Sequence, residues 1–342
     1  MAKNILGIDI GYDSLKLALV NGTTVKKTYS VPMPKKLLQE GRVVSTETMG
    51  ELIRGSMRKG GISANYAALS LSGESVFIRT LTVPQMTPDQ LNYNIGYEFR
   101  DYITTELKDC VFDYAMISTP EQLRSQTETV DESGNRVAPT MDILAVAAPV
   151  KLIEDSKAML RKAGLRLAKA APSECAYIAL IREAEKRGAE KDREYCILDL
   201  GYNAIRMHMF RGERHMVTRQ LEVGLSSIDD VIADTYNVDV HLAHTYLLSN
   251  HDGCQDKDVC VSAFGNISVE LMRAINFYRF NNPESSLSDI WLCGGGVAIP
   301  SLRNSIAESL DLNLHPAEEL VSGGDRIADC FEFVQAIGIA QY

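Results

Sequence analysis

The 342 residues suffice for two domains with separate cores, and 45% apolar with 23% charged residues is the composition of a soluble globular protein. A formal net charge of −10 disfavours a general nucleic-acid binder and any dependence on anionic lipid. No apolar run reaches the ~18–20 residues of a membrane span, and the N-terminus enters a strand without a signal-peptide pattern, so neither a secreted nor an integral membrane product is expected.

In chain order, Ile5 to Ile10 reads as a buried strand, apolar except for Gly7 and Asp9. A carboxylate inside such a run is costly unless it has a partner. Gly11 is expected to adopt positive φ, Tyr12, Asp13 and Ser14 supply turn chemistry, and a second strand runs to Val20. Such a turn points N–H groups into one concavity, which attracts phosphate, and Asp9 would face the accompanying metal. Asn21-Gly22 turns the chain into a strand from Val25 to Val31, stopped by Pro32 and Pro34. Met49, Leu52, Ile53 and Met57 share one face of a helix over 47–58, which Gly60-Gly61 ends before a buried strand from Tyr66 to Ser72. These elements form an α/β layer.

A different unit begins near Glu74. Val76 to Val83 alternates as a half-exposed strand, and Thr87 caps a helix behind Pro88 with Leu91, Ile95, Phe99 and Tyr102 on one face. Val111 to Ile117 and Met141 to Ala147 are further strands. Thr119 to Thr140 between them reads as a long exposed hairpin loop with its tip at Asp131-Glu132-Ser133-Gly134. Helix 150–163, ended by Gly164, and another short strand complete a small α+β insert.

Helix 173–188 follows Pro172, capped by Ser173 or its neighbour, and its polar tail from Arg182 to Arg193 reads as a solvated connector. Cys196 to Phe210 then repeats the first hairpin, Asp199-Leu200-Gly201-Tyr202-Asn203 matching Asp9-Ile10-Gly11-Tyr12-Asp13. One Asp-x-Gly-Tyr is common in turns; two copies, each ending an apolar strand, suggest related domains facing one phosphate. A strand from Val217 to Val223 ends in Gly224, and a helix near Ser226 or Ser227 buries Ile228, Val231 and Ile232. Phe264, Ile267, Leu271, Ile275 and Tyr278 mark a longer core helix.

The strand Ile290 to Cys293 runs into Gly294, Gly295 and Gly296 and then a helix burying Leu302, Ile306 and Leu310. Triple glycine there permits close backbone approach to a ligand. Gln335 to Ala340 ends a last apolar helix whose Gly338 allows close helix packing. The seven cysteines are scattered without Cys-x-x-Cys, which predicts buried free thiols and neither a zinc site nor a disulfide framework. His241 and His244, three apart with no third ligand type nearby, predict a solvated or capping role.

With these stretches the chain resembles the actin-like ATPase superfamily. In that superfamily two hairpins hold phosphates, a glycine-rich turn holds adenosine, and two helices cross between domains. Within it, Arg79-Thr80-Leu81-Thr82-Val83-Pro84-Gln85-Met86, Glu98, Tyr102-Ile103 and Phe112-Asp113-Tyr114 are similar to the insert of the PilM family of type IV pilus assembly proteins. So are Thr218-Arg219 and Glu222-Val223-Gly224. The resemblance implies actin-like (ribonuclease H-like) duplicated domains around an interdomain nucleotide cleft, with the insert displaced as in the related division protein FtsA. The expected division is 1–74, completed by 165–190 and 330–342, then the insert 75–164, then 191–329. The stop at Tyr342 without an amphipathic tail favours PilM over FtsA.

The resemblance further implies Mg-ATP, with Asp9 and Asp199 organising Mg2+ through water. Gly11, Asp13, Ser14, Lys16, Gly201 and Asn203 would face the phosphates, with Gly224, Gly294, Gly295 and Gly296 completing the nucleotide site. Its partner would be the cytoplasmic N-terminal peptide of a PilN-like inner-membrane protein, held between first domain and insert, with self-association possible. The protein would be cytoplasmic, reaching the membrane only through partners. A slow ATPase or phosphotransferase with Glu174 as catalytic group, a scaffold that has lost its ligand, and an FtsA-like division protein are the alternatives. Ile205 replaces the threonine usual in the second hairpin, and Ala243-His244-Thr245-Tyr246-Leu247 replaces Ala-Glu-x-x-Lys. Leu225 and Thr104 replace a usual glycine and proline.

Overall fold

Two five-stranded sheets with the same strand order frame the molecule in the computed structural model, which describes residues 3–34, 36–71, 76–125, 129–130 and 136–342. In the first half, β1 (Asn4–Ile10), β2 (Ser14–Asn21) and β3 (Thr24–Pro32) form an antiparallel meander. A short pair, β4 (Leu38–Gln39) and β5 (Arg42–Val43), precedes α1 (Thr46–Lys59), and β6 (Tyr66–Leu71) returns parallel to β1. The insert follows: β7 (Phe77–Pro84), α2 (Pro88–Asn94), β8 (Cys110–Met116), α3 (Pro120–Ser125), the pair β9 (Thr129–Val130) and β10 (Arg136–Val137), and β11 (Thr140–Pro149). Its own sheet has the order β7-β11-β8. Then α4 (Val150–Ala163) leads to β12 (Arg166–Pro172), completing the sheet β12-β6-β1-β2-β3.

The second half repeats the plan. Helix α5 (Ser173–Lys186) leads to the meander β13 (Glu194–Leu200), β14 (Ile205–Arg211) and β15 (Arg214–Leu221). Three helices follow, α6 (Ser226–Tyr236), α7 (Val240–Ser249) and α8 (Asp258–Asn281), then β16 (Asp289–Cys293), α9 (Pro300–Ser309) and β17 (Asn313–Pro316). This sheet is ordered β15-β14-β13-β16-β17, and α10 (Cys330–Gln341) returns to the first half.

Backbone proximity holds the halves together. The carbonyl of Ala336 on α10 would stand 1.7 Å from a Cβ at Gly7, so only glycine lets this helix lie on β1. On the opposite face of α10, Gly338 meets the Ala176 carbonyl of α5, 2.4 Å from where its Cβ would be. Tyr177, Ile181, Phe210, Trp291, Phe333 and Ile337 fill the core between the sheets. Ile205, where the resemblance leads one to expect threonine, is fully buried with Met207, Phe264 and Leu302, and its register place matches that of Leu15 in the first hairpin.

Several local expectations change. Ser173 does not cap α5; its hydroxyl donates to its neighbour Glu174, and Pro172 precedes the helix without a side-chain cap. Helix α2 has the predicted cap, Thr87 accepting from Gln90 N–H with Gln90 returning the bond, but it ends at Asn94 in a 3-10 turn. Tyr102 is therefore not on a buried face: it is 52% exposed, beneath the Arg79 guanidinium. The stretch Thr119–Thr140 is not wholly loop, since it contains α3 and the β9–β10 pair; Asp131–Gly134, like Ser72 and Glu74, lies outside the described residues. The connector after α5 is solvated, with most of 186–192 exposed, and is also pinned: Arg182 pairs with Glu213, Arg187 donates to the Glu319 and Leu320 carbonyls, and Arg193 pairs with Asp289.

Candidate functional site: a cleft between two matched hairpins

In each meander an acidic residue near the end of the first strand faces a basic one across the hairpin. Asp9 is paired in register with Lys16, and Asp199 with Arg206. All four line one cleft of ≈ 540 Å³, within the ~300–1,000 Å³ typical of small-ligand sites. The sequence repeat thus extends further than Asp-x-Gly-Tyr, because Arg206 stands as far after Asp199 as Lys16 does after Asp9. Arg206 was missed for want of that comparison.

The turns need glycine for space, not for handedness. Gly11 was expected at positive φ, but it is not among the positive-φ glycines. Its N–H donates to Ser14 O at 3.0 Å, and a Cβ there would press on that carbonyl and on the Lys16 ammonium. Gly201 is the counterpart, with Ala204 O 2.5 Å from where its Cβ would be. Gly294 does need its special backbone: φ is +86°, and a Cβ would stand 2.4 Å from Asp199 Oδ1. It carries the chain from β16 past the second carboxylate.

The two carboxylates differ in their surroundings. Asp9 Oδ2 lies 3.7 Å from Lys16 Nζ, the side chains 12% and 13% exposed, and Asp9 Oδ1 accepts from Gln335 Nε2 at 3.1 Å. Gln335 also donates to Ser70 Oγ, fastening α10 to β1 and β6. Burial raises the Asp9 pKa, Lys16 opposes that, and the charge of Asp199 adds to it. Burial works against the charge of Lys16, but Asp9, Asp199, Asp13 and Glu332 outweigh it and its pKa rises. Among the described residues the Asp199 carboxylate makes no hydrogen bond or ion pair. Its cross-strand partner Arg206 donates instead to Gln220 Oε1 at 3.1 Å.

Asp13, Ser14, Asn203 and Gly295 also line the cleft; Gly296, Gly224 and Glu174 do not. Gly296 packs on Leu200, and Gly224 lies against the backbone of Tyr202 to Ala204, so each shapes the second turn from behind. Glu174 is 8% exposed and already occupied. Its Oε1 accepts from Thr218 Oγ1 at 2.8 Å and lies 3.5 Å from His208 Nδ1. Thr218 is in turn 3.0 Å from His208 Nδ1 and 2.9 Å from His215 Nε2. Burial works against its charge, yet the hydrogen bond and charge of His208 hold Glu174 far below the usual carboxylate range.

His244 is neither solvated nor a cap. It lies in the cleft wall, with Nδ1 2.9 Å from the buried Asp229 and Nε2 3.5 Å from Asp13 of the first hairpin. Burial lowers its pKa, but Asp229 and then Asp13 outweigh this and raise it. Sequence spacing gives no sign of this bridge, because its members come from three elements.

The acidic side chains of the cleft, Asp9, Asp13, Glu40, Asp199 and Glu332, outnumber Lys16 and Arg206, so a polyphosphate entering alone meets net repulsion. With Mg2+ the balance changes. That ion takes one or two carboxylates together with phosphate oxygens and water, and does not need a full protein cage. Asp9 and Asp199, which line the same cleft, are a donor set of that kind.

The family model for the type IV pilus assembly protein PilM matches residues 7–321. The chain belongs to the PilM family. Among solved structures it is similar to a PilM–PilN type IV pilus biogenesis complex, with 24% identity over 98% of this chain and 97% of that one and a TM-score of 0.79. It is also similar to the ethanolamine utilization protein EutJ from Carboxydothermus hydrogenoformans, at 13% identity over 100% and 90% of the chains and a TM-score of 0.58. No curated protein matches the sequence. The fold is thus the duplicated actin-like one, and the PilM family places the chain in pilus assembly. No helix among the described residues is long and apolar enough to cross a membrane.

Proposed function

We propose that the protein is a cytoplasmic nucleotide-binding assembly component of the type IV pilus platform. It holds Mg-ATP in the cleft and, in that state, docks the cytoplasmic N-terminal peptide of a PilN-like inner-membrane protein. It meets the membrane through that partner. The observation that carries the reading is the facing of Asp9 and Asp199 into one cleft from two matched hairpins, each with a basic residue opposite. Asp199 and Asp9 orient magnesium and its waters. Lys16, Arg206 and the turn groups of Gly11, Asp13, Ser14, Gly201 and Asn203 take the phosphates, and Gly294 and Gly295 pass beside the nucleoside. Magnesium supplies charge neutralisation.

Bound nucleotide serves here as a clamp and not as fuel. Glu174, the carboxylate in the first turn of α5, is spent on Thr218 and His208. The clamp reaches the insert through one hydrogen bond and one ion pair: Thr80 Oγ1 of β7 donates to His215 O at 2.7 Å, and Arg214 lies 3.5 Å from Asp142. Calorimetry with the cytoplasmic peptide of a PilN-like protein tests this reading. Binding that strengthens with Mg-ATP is expected. Peptide binding unaffected by nucleotide, in protein shown to bind nucleotide, would separate the two functions and overturn it.

A further inference from the structure

The net charge of −10 conceals a strong asymmetry. Residues 1–71 and 150–172, which build the first sheet and its two covering helices, hold 16 Lys and Arg against 7 Asp and Glu, in a chain with 35 against 45. The fold gathers the excess at one end. Strands β6 and β12 both run parallel to β1. The helices preceding them, α1 and α4, therefore finish where those strands start, away from the Asp9 end. Arg54 of α1 donates to the Lys162 carbonyl at the end of α4, and Arg166 N–H bonds Asn65 O, which brings both helix ends and both strand starts together.

That end presents Lys3, Lys26, Arg58, Lys59, Arg161 and Arg166, all exposed. No Asp or Glu occurs in residues 14–39, 52–73 or 156–173. Lys3 lies over the Tyr66 ring, and Tyr66, Asn65, Gly164 and Arg166 edge a shallow hollow between the two strand starts. The side chains of the other five make no hydrogen bond or ion pair among the described residues.

Helix ends account for part of this, since cations offset the C-terminal dipole. Each of two helices carries only about half a negative charge there, so roughly one cation is absorbed and the rest are surplus. The remaining acidic surface does not cancel them either, because at physiological ionic strength charges beyond ~8 Å are largely screened.

We propose that this basic end of the first domain is a docking face for an anionic phospholipid surface. The cations come from five separate segments and stand exposed at helix ends and strand starts around that shallow hollow. Such a spread suits a sheet of headgroups. The inference rests on the reading of the protein as held beside the membrane by a PilN-like partner. The partner supplies the tether, and the basic end sets which side faces the bilayer. The net charge that disfavours a dependence on anionic lipid is a sum over the whole molecule, and this face departs from that sum.

The test is co-sedimentation with phosphatidylcholine vesicles, with and without phosphatidylglycerol, at low salt. It compares the intact protein with a variant carrying Arg58→Gln, Lys59→Gln, Arg161→Gln and Arg166→Gln, all exposed positions. Each surface cation near anionic lipid contributes about fivefold in partition, so the variant loses at least ~100-fold. Calorimetry with the PilN-like peptide is run on both proteins. Selective binding to phosphatidylglycerol vesicles, lost in the variant while peptide binding stays, is the expected result. Equal sedimentation with both vesicle types, or an unweakened variant, overturns the lipid face and leaves the docking reading untouched. Capture of polyglutamate without vesicle binding would likewise overturn it, in favour of an acidic polypeptide. Loss of peptide binding by the intact protein would fault the docking reading instead.

Discussion

The two hairpins share a topology and a charge pair, yet they are wired differently. In the first, Asp9 is engaged by Lys16 and by Gln335 of the last helix, so its carboxylate holds the fold together as well as facing the cleft. In the second, Asp199 is unengaged and Arg206 is turned to Gln220. A duplicated architecture has kept one copy as a structural tie and left the other open to a ligand.

This contrast can be broken by mutation, and the largest expected effect is on the tied side. Asp9→Ala leaves a mostly buried Lys16 without its partner and Gln335 with Ser70 alone as acceptor. Chemical denaturation is predicted to show a loss of about 3 kcal/mol. Asp199→Ala should stay within ~0.5 kcal/mol of the unmodified protein in the absence of nucleotide. Equal losses for the two would mean that the hairpins do the same work.

Gly294→Ala sharpens the comparison from the second side. It forces a side chain into positive φ and against Asp199 Oδ1, at a cost of about 2 kcal/mol. Gly295→Ala, with open space around its Cβ, should be near neutral by the same measurement.

The pH dependence divides along the same line. Behind the cleft, burial holds the His215 pKa down at about 4, while its unfolded value is near 6.5. Between these values the unfolded chain takes up a proton that the folded one refuses, so stability is lost as pH falls from about 6.5 to 4. His215→Asn should flatten the acid limb of a melting-temperature profile. Within the cleft His244 works in reverse. Its folded pKa is raised, so the bridge to Asp229 and Asp13 contributes fully below the unfolded value and fades as pH rises through the folded one. A smaller loss than that of Gly294→Ala is predicted for His244→Gln: about 1 kcal/mol near pH 6, and less at pH 8.

Much of this was legible in the sequence because it is written in local patterns. Alternation and glycine turns mark both meanders, and the repeated Asp-x-Gly-Tyr marks the cleft. What escaped lies in contacts between distant segments. Gln335 reaches Asp9 across nearly the whole chain, and His244 joins α7, α6 and the first turn; no spacing rule links such residues. Glu174 misled because a carboxylate in the first turn of a connecting helix invites a catalytic role. Its occupation by Thr218 and His208 depends on how two strands of the other half fall against that helix. The basic end was hidden by summing charge over a chain whose halves differ in sign.

The central claim is that one magnesium nucleotide is held between the two hairpins. Its most direct test is a thermal-shift titration with Mg-ATP on the unmodified protein and on Asp199→Ala, which is expected to keep its fold. At about 100 times the dissociation constant the unmodified protein should gain ~2.7 kcal/mol, and Asp199→Ala little or none. A gain of the same size in Asp199→Ala, or none in the unmodified protein, would contradict the account.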